Sequence, residues 1–198
     1  MIHYIGDSHV LANFGGMPGA VHYVGPVTMK RVGVKEDALI ADEVASMSLA
    51  PGDWVVFNFG EIDMRCYVKP ILEHRKVTVN ALLRGLVKAY CDRIASLPLN
   101  GAKVCIVSVT PPSTRERAET IKWPVAGTDG ERALYTRKIN RYLKDACRER
   151  QWRFMDTHAL YADPAGMLPA DLSDGKVHVR DNKPIRALVK ALEEPCVK

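Results

Sequence analysis

The segment Gly6-Asp7-Ser8-His9 sets a carboxylate, a hydroxyl and an imidazole side by side behind a glycine, ahead of what reads as a helix from Ser8 to about Phe14. A serine at a helix start has two uses. Its hydroxyl can cap the helix by accepting a backbone N–H. It can also attack a carbonyl, because free N–H groups and the positive end of the helix dipole stabilise the oxyanion that results. The second use needs a base, and position separates the six histidines. His3 and His22 fall inside apolar runs, His74 precedes a long helical pattern, and His9 is too close to Ser8 within one helical turn. His158 follows Asp156-Thr157, where the aspartate is expected to cap a turn. His178 differs: Asp174-Gly175-Lys176-Val177-His178 is a turn-forming stretch just before the last helical pattern, and it brings an acid and an imidazole from one loop.

These residues must be positioned by a scaffold, and five short apolar runs supply one. They are Ile2 to Ile5, Val21 to Val24, Trp54 to Phe59, Val104 to Val109 and a weaker one at Arg153 to Met155. Longer segments of helical period separate them. Val79, Leu82, Leu83, Leu86, Val87, Tyr90 and Ile94 form one apolar face, and Tyr135, Ile139, Tyr142, Leu143 and Ala146 another. A last helix starts near Asn182, with Pro184 in its first turn. The alternation predicts an α/β fold, a mostly parallel five-stranded sheet with helices on both faces. Ligands of such sheets bind beyond the carboxyl ends of the strands, where the strand order reverses. Chemistry is therefore expected at Gly6 to His9, at Gly25-Pro26, at Gly60-Glu61-Ile62-Asp63-Met64-Arg65 and at Thr110-Pro111-Pro112. The polar stretch from Thr110 to about Gly130 is long for a strand-to-helix loop and reads either as a lid or as a surface excursion.

Composition narrows the function classes. The 198 residues, 47% hydrophobic and 26% charged, suit one domain spanning 1–198 and are too few for two ordinary enzyme domains. Lys and Arg total 28 against 23 acidic residues, a formal charge of +5, and no block of five like charges occurs, so no nucleic-acid partner is expected. Five widely spaced cysteines without a CxxC pair read as reduced, mostly buried thiols. No apolar run approaches the roughly 18 to 20 residues that span a bilayer, so a cytoplasmic place without a membrane partner is expected.

Gly6-Asp7-Ser8, a glycine after the second run, Gly-x-x-Asp after the third and a late Asp-Gly-x-x-His together resemble the SGNH/GDSL hydrolase family of serine esterases and lipases. The blocks stand in that family's order from residue 6 to residue 178. The resemblance implies a three-layer flavodoxin-like fold, Ser8 as nucleophile, His178 as general base and Asp174 as the residue that fixes the imidazole. It also implies an oxyanion hole made by the Ser8 N–H and a glycine N–H of the second block, with Gly25 the choice and Gly33 the runner-up. Asp63 then supports by hydrogen-bonding backbone near the nucleophile. Asp7 organises its loop.

Two positions depart from the family pattern. The asparagine whose amide helps hold the oxyanion is here Ile62. Arg65 is the natural substitute, able to reach an oxyanion or to pair with Glu61. Phe59 to Arg65 is similar to a branch of the family with a Phe-Gly-Glu-Ile-Asp-x-Arg third block, found near glycan-assembly genes, which implies a small-molecule or glycan ester as substrate. The second departure is one extra residue between Asp174 and His178, with Asp171 as the reserve acid. The segment Met64 to Lys76 and the loop carrying Trp123 are expected to line the acyl or sugar pocket, unless Trp123 merely pins its own loop.

The reaction implied is hydrolysis or transfer of a short acyl group, O-acetyl on a carbohydrate, with no cofactor and no metal. Two rivals remain. Loss of the asparagine suits a weak or inactive scaffold that binds a glycan or acylated partner. Asp7-x-His9 followed by Gly60-Glu61-Ile62-Asp63-Met64-Arg65 also resembles the start of binuclear metallophosphoesterases, although the later Gly-Asn-His and Gly-His-x-His segments are missing.

Overall fold

In a computed structural model, which describes residues 1–194, the chain runs β1 (Ile2–Gly6), α1 (Ser8–Phe14), β2 (Ala20–Tyr23), α2 (Met29–Val32), α3 (Leu39–Ser46) and β3 (Trp54–Asn58). It continues through a π-helical turn (Asp63–Tyr67) into α4 (Val68–Arg75), then α5 (Val79–Ala95), β4 (Lys103–Val107), α6 (Arg115–Ala118) and α7 (Asp129–Glu149). It ends with β5 (Arg153–Met155), α8 (His158–Tyr161), a 3₁₀ turn (Lys183–Ile185) and α9 (Arg186–Glu193). The five apolar runs are the five strands. They pair in the order β2-β1-β3-β4-β5, every pair parallel.

Alternation along the strands sorts side chains to two faces. Ile5, Val55, Phe57, Val104 and Ile106 point into a core closed by α2, α3, α5 and α7. Tyr4, Val56, Cys105, Val107 and Met155 meet Val10 and Phe14 of α1 with Val189 and Leu192 of α9 on the other. The result is the expected three-layer α/β fold. The strand order reverses between β1 and β3, so the crevice at their carboxyl ends is the place for a ligand. At that point β1 and β3 approach closely: a Cβ on Gly6 would stand 2.4 Å from the Asn58 carbonyl oxygen, so only glycine fits.

Cys66, Cys91, Cys105 and Cys147 are free and buried, and burial pushes the Cys66 thiol up to about 11; Cys196 lies outside the described residues. Among the described residues, no helix is long and apolar enough to cross a membrane.

Candidate active site

Ser8 is not the helix cap. Asp7 takes that role, its Oδ1 accepting the His9 N–H at 2.9 Å, which makes Ser8 the first residue of α1 and leaves its hydroxyl free. The Ser8 Oγ lies 2.9 Å from His178 Nε2, across 170 residues of sequence. His178 Nδ1 lies 2.9 Å from Asp174 Oδ2. Since a carboxylate only accepts, Nδ1 carries the proton, and the Nε2 lone pair faces the serine O–H. Burial and the neighbouring His9 charge hold the His178 imidazole below its ordinary value despite Asp174. For Asp174, burial works against ionisation, but the His178 hydrogen bond and the Lys176 N–H outweigh it and hold the carboxyl low. The three residues can thus deprotonate a hydroxyl at near-neutral pH and return the proton to a leaving group.

The extra residue between Asp174 and His178 is absorbed by a small hairpin. Ser173 bridges to Val179, the Asp174 N–H donates to the His178 carbonyl at 2.9 Å, and Gly175 sits at φ +91°, where a side chain would be strained. Asp174 Oδ1 accepts the Lys176 and His178 N–H groups at 2.8 and 3.2 Å. Ser113 Oγ donates to the Lys176 carbonyl, fastening the hairpin to the segment after β4. The reserve acid, Asp171, is exposed and is not the partner of His178 Nδ1.

The second block follows β2 directly. Gly6, the last residue of β1, pairs with Tyr23, the last residue of β2, and the Val24 N–H donates to the Gly6 carbonyl at 3.0 Å. Gly25 turns the chain at φ +83°. Gly33 instead closes α2 against α5, where an added Cβ would meet Ala89 at 3.1 Å.

The third block departs furthest from expectation. Arg65 Nε and Nη2 grip Glu61 Oε1 and Oε2 at 2.7 and 3.0 Å, and both side chains are buried. Of the two roles open to Arg65, pairing with Glu61 is the one adopted. Burial opposes the Glu61 charge, but Arg65 and His9 hold its carboxyl below the usual range. Ile62 is buried at 3% exposure and offers no donor. Asp63 supports backbone as expected, but at another place: its oxygens accept the N–H groups of Met29 and Lys30 at 2.6 and 3.1 Å. It fastens the start of α2 and hence the segment beginning at Gly25. Burial pushes the Asp63 carboxyl up to about 7.

The segment Met64 to Lys76 is helical up to Arg75, with Lys76 as its left-handed cap. Pro70 lacks an N–H and cannot accept a tight α turn behind it; the chain widens into the π turn, and the Arg65 carbonyl is taken by the Ala126 N–H at 2.9 Å. That bond docks the Thr110–Gly130 excursion, including half-buried Trp123, onto the third block. Tyr67, Val68, Ile71 and Arg75 do line a cavity of about 380 Å³, with Asp63 and Lys30, but Ser8 and His178 do not.

The phosphoesterase arrangement does not form. Asp7 and His9 bond each other at 3.1 Å while Asp63 faces backbone amides, and among the described residues no three His, Cys, Asp or Glu side chains converge on a point that could hold a metal. Sequence reasoning set His9 aside. Its signal was its position, an imidazole directly beside the cap and nucleophile of a buried turn.

Fold and array define an α/β protein whose serine, histidine and aspartate meet at the carboxyl edge of a doubly wound parallel sheet. No protein-family model matches the chain, and no curated protein matches it in sequence. Solved structures do match in fold. A Bacteroides fragilis protein provisionally designated an acylhydrolase is similar with a TM-score of 0.61 at 14% identity, over 97% of this chain and 86% of that one. A GDSL-like lipase of Bacteroides thetaiotaomicron gives 0.57 at 15% identity, over 97% and 87%. A carbohydrate acetylesterase of Sinorhizobium meliloti gives 0.58 at 14% identity, over 96% and 98%. The chain therefore has the fold of GDSL-like hydrolases over nearly its whole length.

Proposed function

We propose that this chain is a serine esterase that removes, or transfers to an acceptor, a short acyl group, with an O-acetylated carbohydrate as the substrate class, and that it works in the cytoplasm. The observation that carries the reading is the pair of 2.9 Å contacts linking Ser8 Oγ, His178 and Asp174. Ser8 attacks the ester carbonyl as its proton passes to His178 Nε2. Asp174 stabilises the imidazolium, and the Ser8 and Gly25 N–H groups receive the oxyanion. His178 then protonates the departing sugar oxygen, and water, or an acceptor hydroxyl, releases the acyl group by the reverse sequence. The acetylesterase among the fold neighbours supports the choice of acyl group and leaving group.

Acetate release from p-nitrophenyl acetate and from an acetylated sugar tests the reading. Ser8→Ala and His178→Ala should each lower the rate by about 10⁴-fold or more with the circular dichroism spectrum unchanged. A second reading, a scaffold that binds a glycan ester without turnover, is favoured by buried Ile62 and by the engagement of Arg65 with Glu61. Equal residual rates in wild type and Ser8→Ala decide for it.

A further inference from the structure

His9 is the one imidazole of the site to which the proposed reaction gives no task. It is buried at 3% exposure. Its Nδ1 lies 3.1 Å from Asp7 Oδ1 and its Nε2 lies 3.2 Å from the Val177 carbonyl oxygen. An ionised carboxylate and a backbone carbonyl have no proton to give. A neutral imidazole, with one N–H, would leave a lone pair pressed against an oxygen, whereas the doubly protonated ring satisfies both. Charge balance agrees. Arg65 compensates Glu61, and Asp7 finds its compensation in a charged His9. Without that charge, the proton shared across the Asp7–His9 contact would have to sit on Asp7, or the site would hold an isolated buried carboxylate, which is costly. The His9 ring stands 4.7 Å from the His178 ring, centroid to centroid.

We propose that His9 is a positioning residue: a permanently protonated imidazolium that pins the Asp174–His178 hairpin to the first turn of α1 through Val177 and keeps His178 in its neutral, proton-accepting form. The catalytic consequence rests on the esterase reading; the charge of His9 does not. The charged groups facing His178 are Asp174 on its own hairpin, His9 at the start of α1, and Glu61 at the start of the helix after β3, the last already paired with Arg65. Asp174 and Glu61 favour a second proton on His178, and the His9 cation opposes it. For His9 itself burial works against the charge, but the Asp7 hydrogen bond, the charges of Asp7 and Glu61 and the Val177 carbonyl together raise it above its ordinary value.

The test combines histidine ¹⁵N NMR with a pH–rate profile, the His9 resonances being assigned by their loss in His9→Gln. In the wild type both His9 nitrogens should stay protonated from pH 5 to pH 8, about the window in which an ordinary imidazole loses its proton. In His9→Gln, which keeps a donor for Val177 but no charge, the acidic limb of kcat/KM should move up by about one pH unit. The His178 titration should move with it in the same spectra. A His9 ring with a single proton at pH 7 overturns the proposal, as does a His178 titration identical in the two proteins. If neither protein releases acetate, the esterase reading fails alone, because the NMR titrations of His9 and His178 still decide the charge and its effect.

Discussion

Replacing Arg65 by methionine keeps the aliphatic stem and removes the guanidinium, leaving Glu61 as a buried carboxylate without its bidentate partner. The two groups are gripped at 2.7 and 3.0 Å with side-chain exposures of 8% and 5%, so solvent cannot take over the lost interaction. Removing one member of such a pair costs about 3–5 kcal/mol, a large share of the roughly 5–15 kcal/mol that holds a domain together. At about 2–4 °C per kcal/mol for a chain of this size, the melting temperature should fall by roughly 10 °C at pH 7.5. The pH dependence supplies the sign. In the wild type the Glu61 carboxyl is held below its ordinary value, so its contribution is full above the unfolded value and is lost as pH falls through the folded one. In Arg65→Met the carboxyl rises above its unfolded value, the folded state binds the extra proton, and the deficit should shrink as pH falls from 7.5 to 5. Adding Glu61→Gln should restore part of the loss at pH 7.5. Thermal melts of the four proteins at the two pH values measure all of this. Additive losses in the double variant, or a deficit in Arg65→Met that is unchanged at pH 5, would refute a buried, mutually dependent pair.

Asp63→Ala should free the Met29 and Lys30 N–H groups that its carboxylate now accepts, destabilising the fold by about 2–4 kcal/mol, which urea titration reads. Its kcat/KM should fall as well, because the segment beginning at Gly25 loses its fastening; a full rate with lowered stability would separate Asp63 from the site. Gly6→Ala forces a Cβ against the Asn58 carbonyl and should cost about 1–3 kcal/mol together with most of the esterase rate, as the β1 end that presents Ser8 shifts. A melting temperature equal to the wild type would mean that the two strand ends are not held in that contact.

Much of the scaffold was legible because its signals are local and repetitive. Each of the five strands coincides within two residues at either end with an apolar run, and α5 and α7 follow the three- and four-residue spacing of their buried faces. Asp174 and His178 were legible together because turn chemistry brings an acid and an imidazole into one short stretch, and Ser8 joined them through the resemblance carried by the motif blocks. What escaped has other causes. The helix after β3 was hidden by Pro70 and by a charged outer face, and α2 and α3 are too short to show a period. The partners of Asp63 are backbone amides, which look alike in every sequence. Arg65 had two chemically reasonable destinations, and only packing decided for Glu61, four residues away on the same helix face. Asp7 took the cap that Ser8 seemed equally able to fill.

The hairpin from Ser173 to Val179 carries both the acid and the base, locked to each other by three hydrogen bonds internal to the loop. Aligning three side chains therefore reduces to seating one prefabricated piece against one serine. Small errors in the placement of this loop move Asp174 and His178 in concert and leave their mutual geometry intact, so substitutions elsewhere on that rim are tolerated more readily than in a site whose acid and base come from separate strands. Such a piece can also be exchanged whole: a hairpin of different length or charge, grafted between Leu172 and Arg180, would bring its own acid–base couple ready-made and leave the sheet beneath undisturbed.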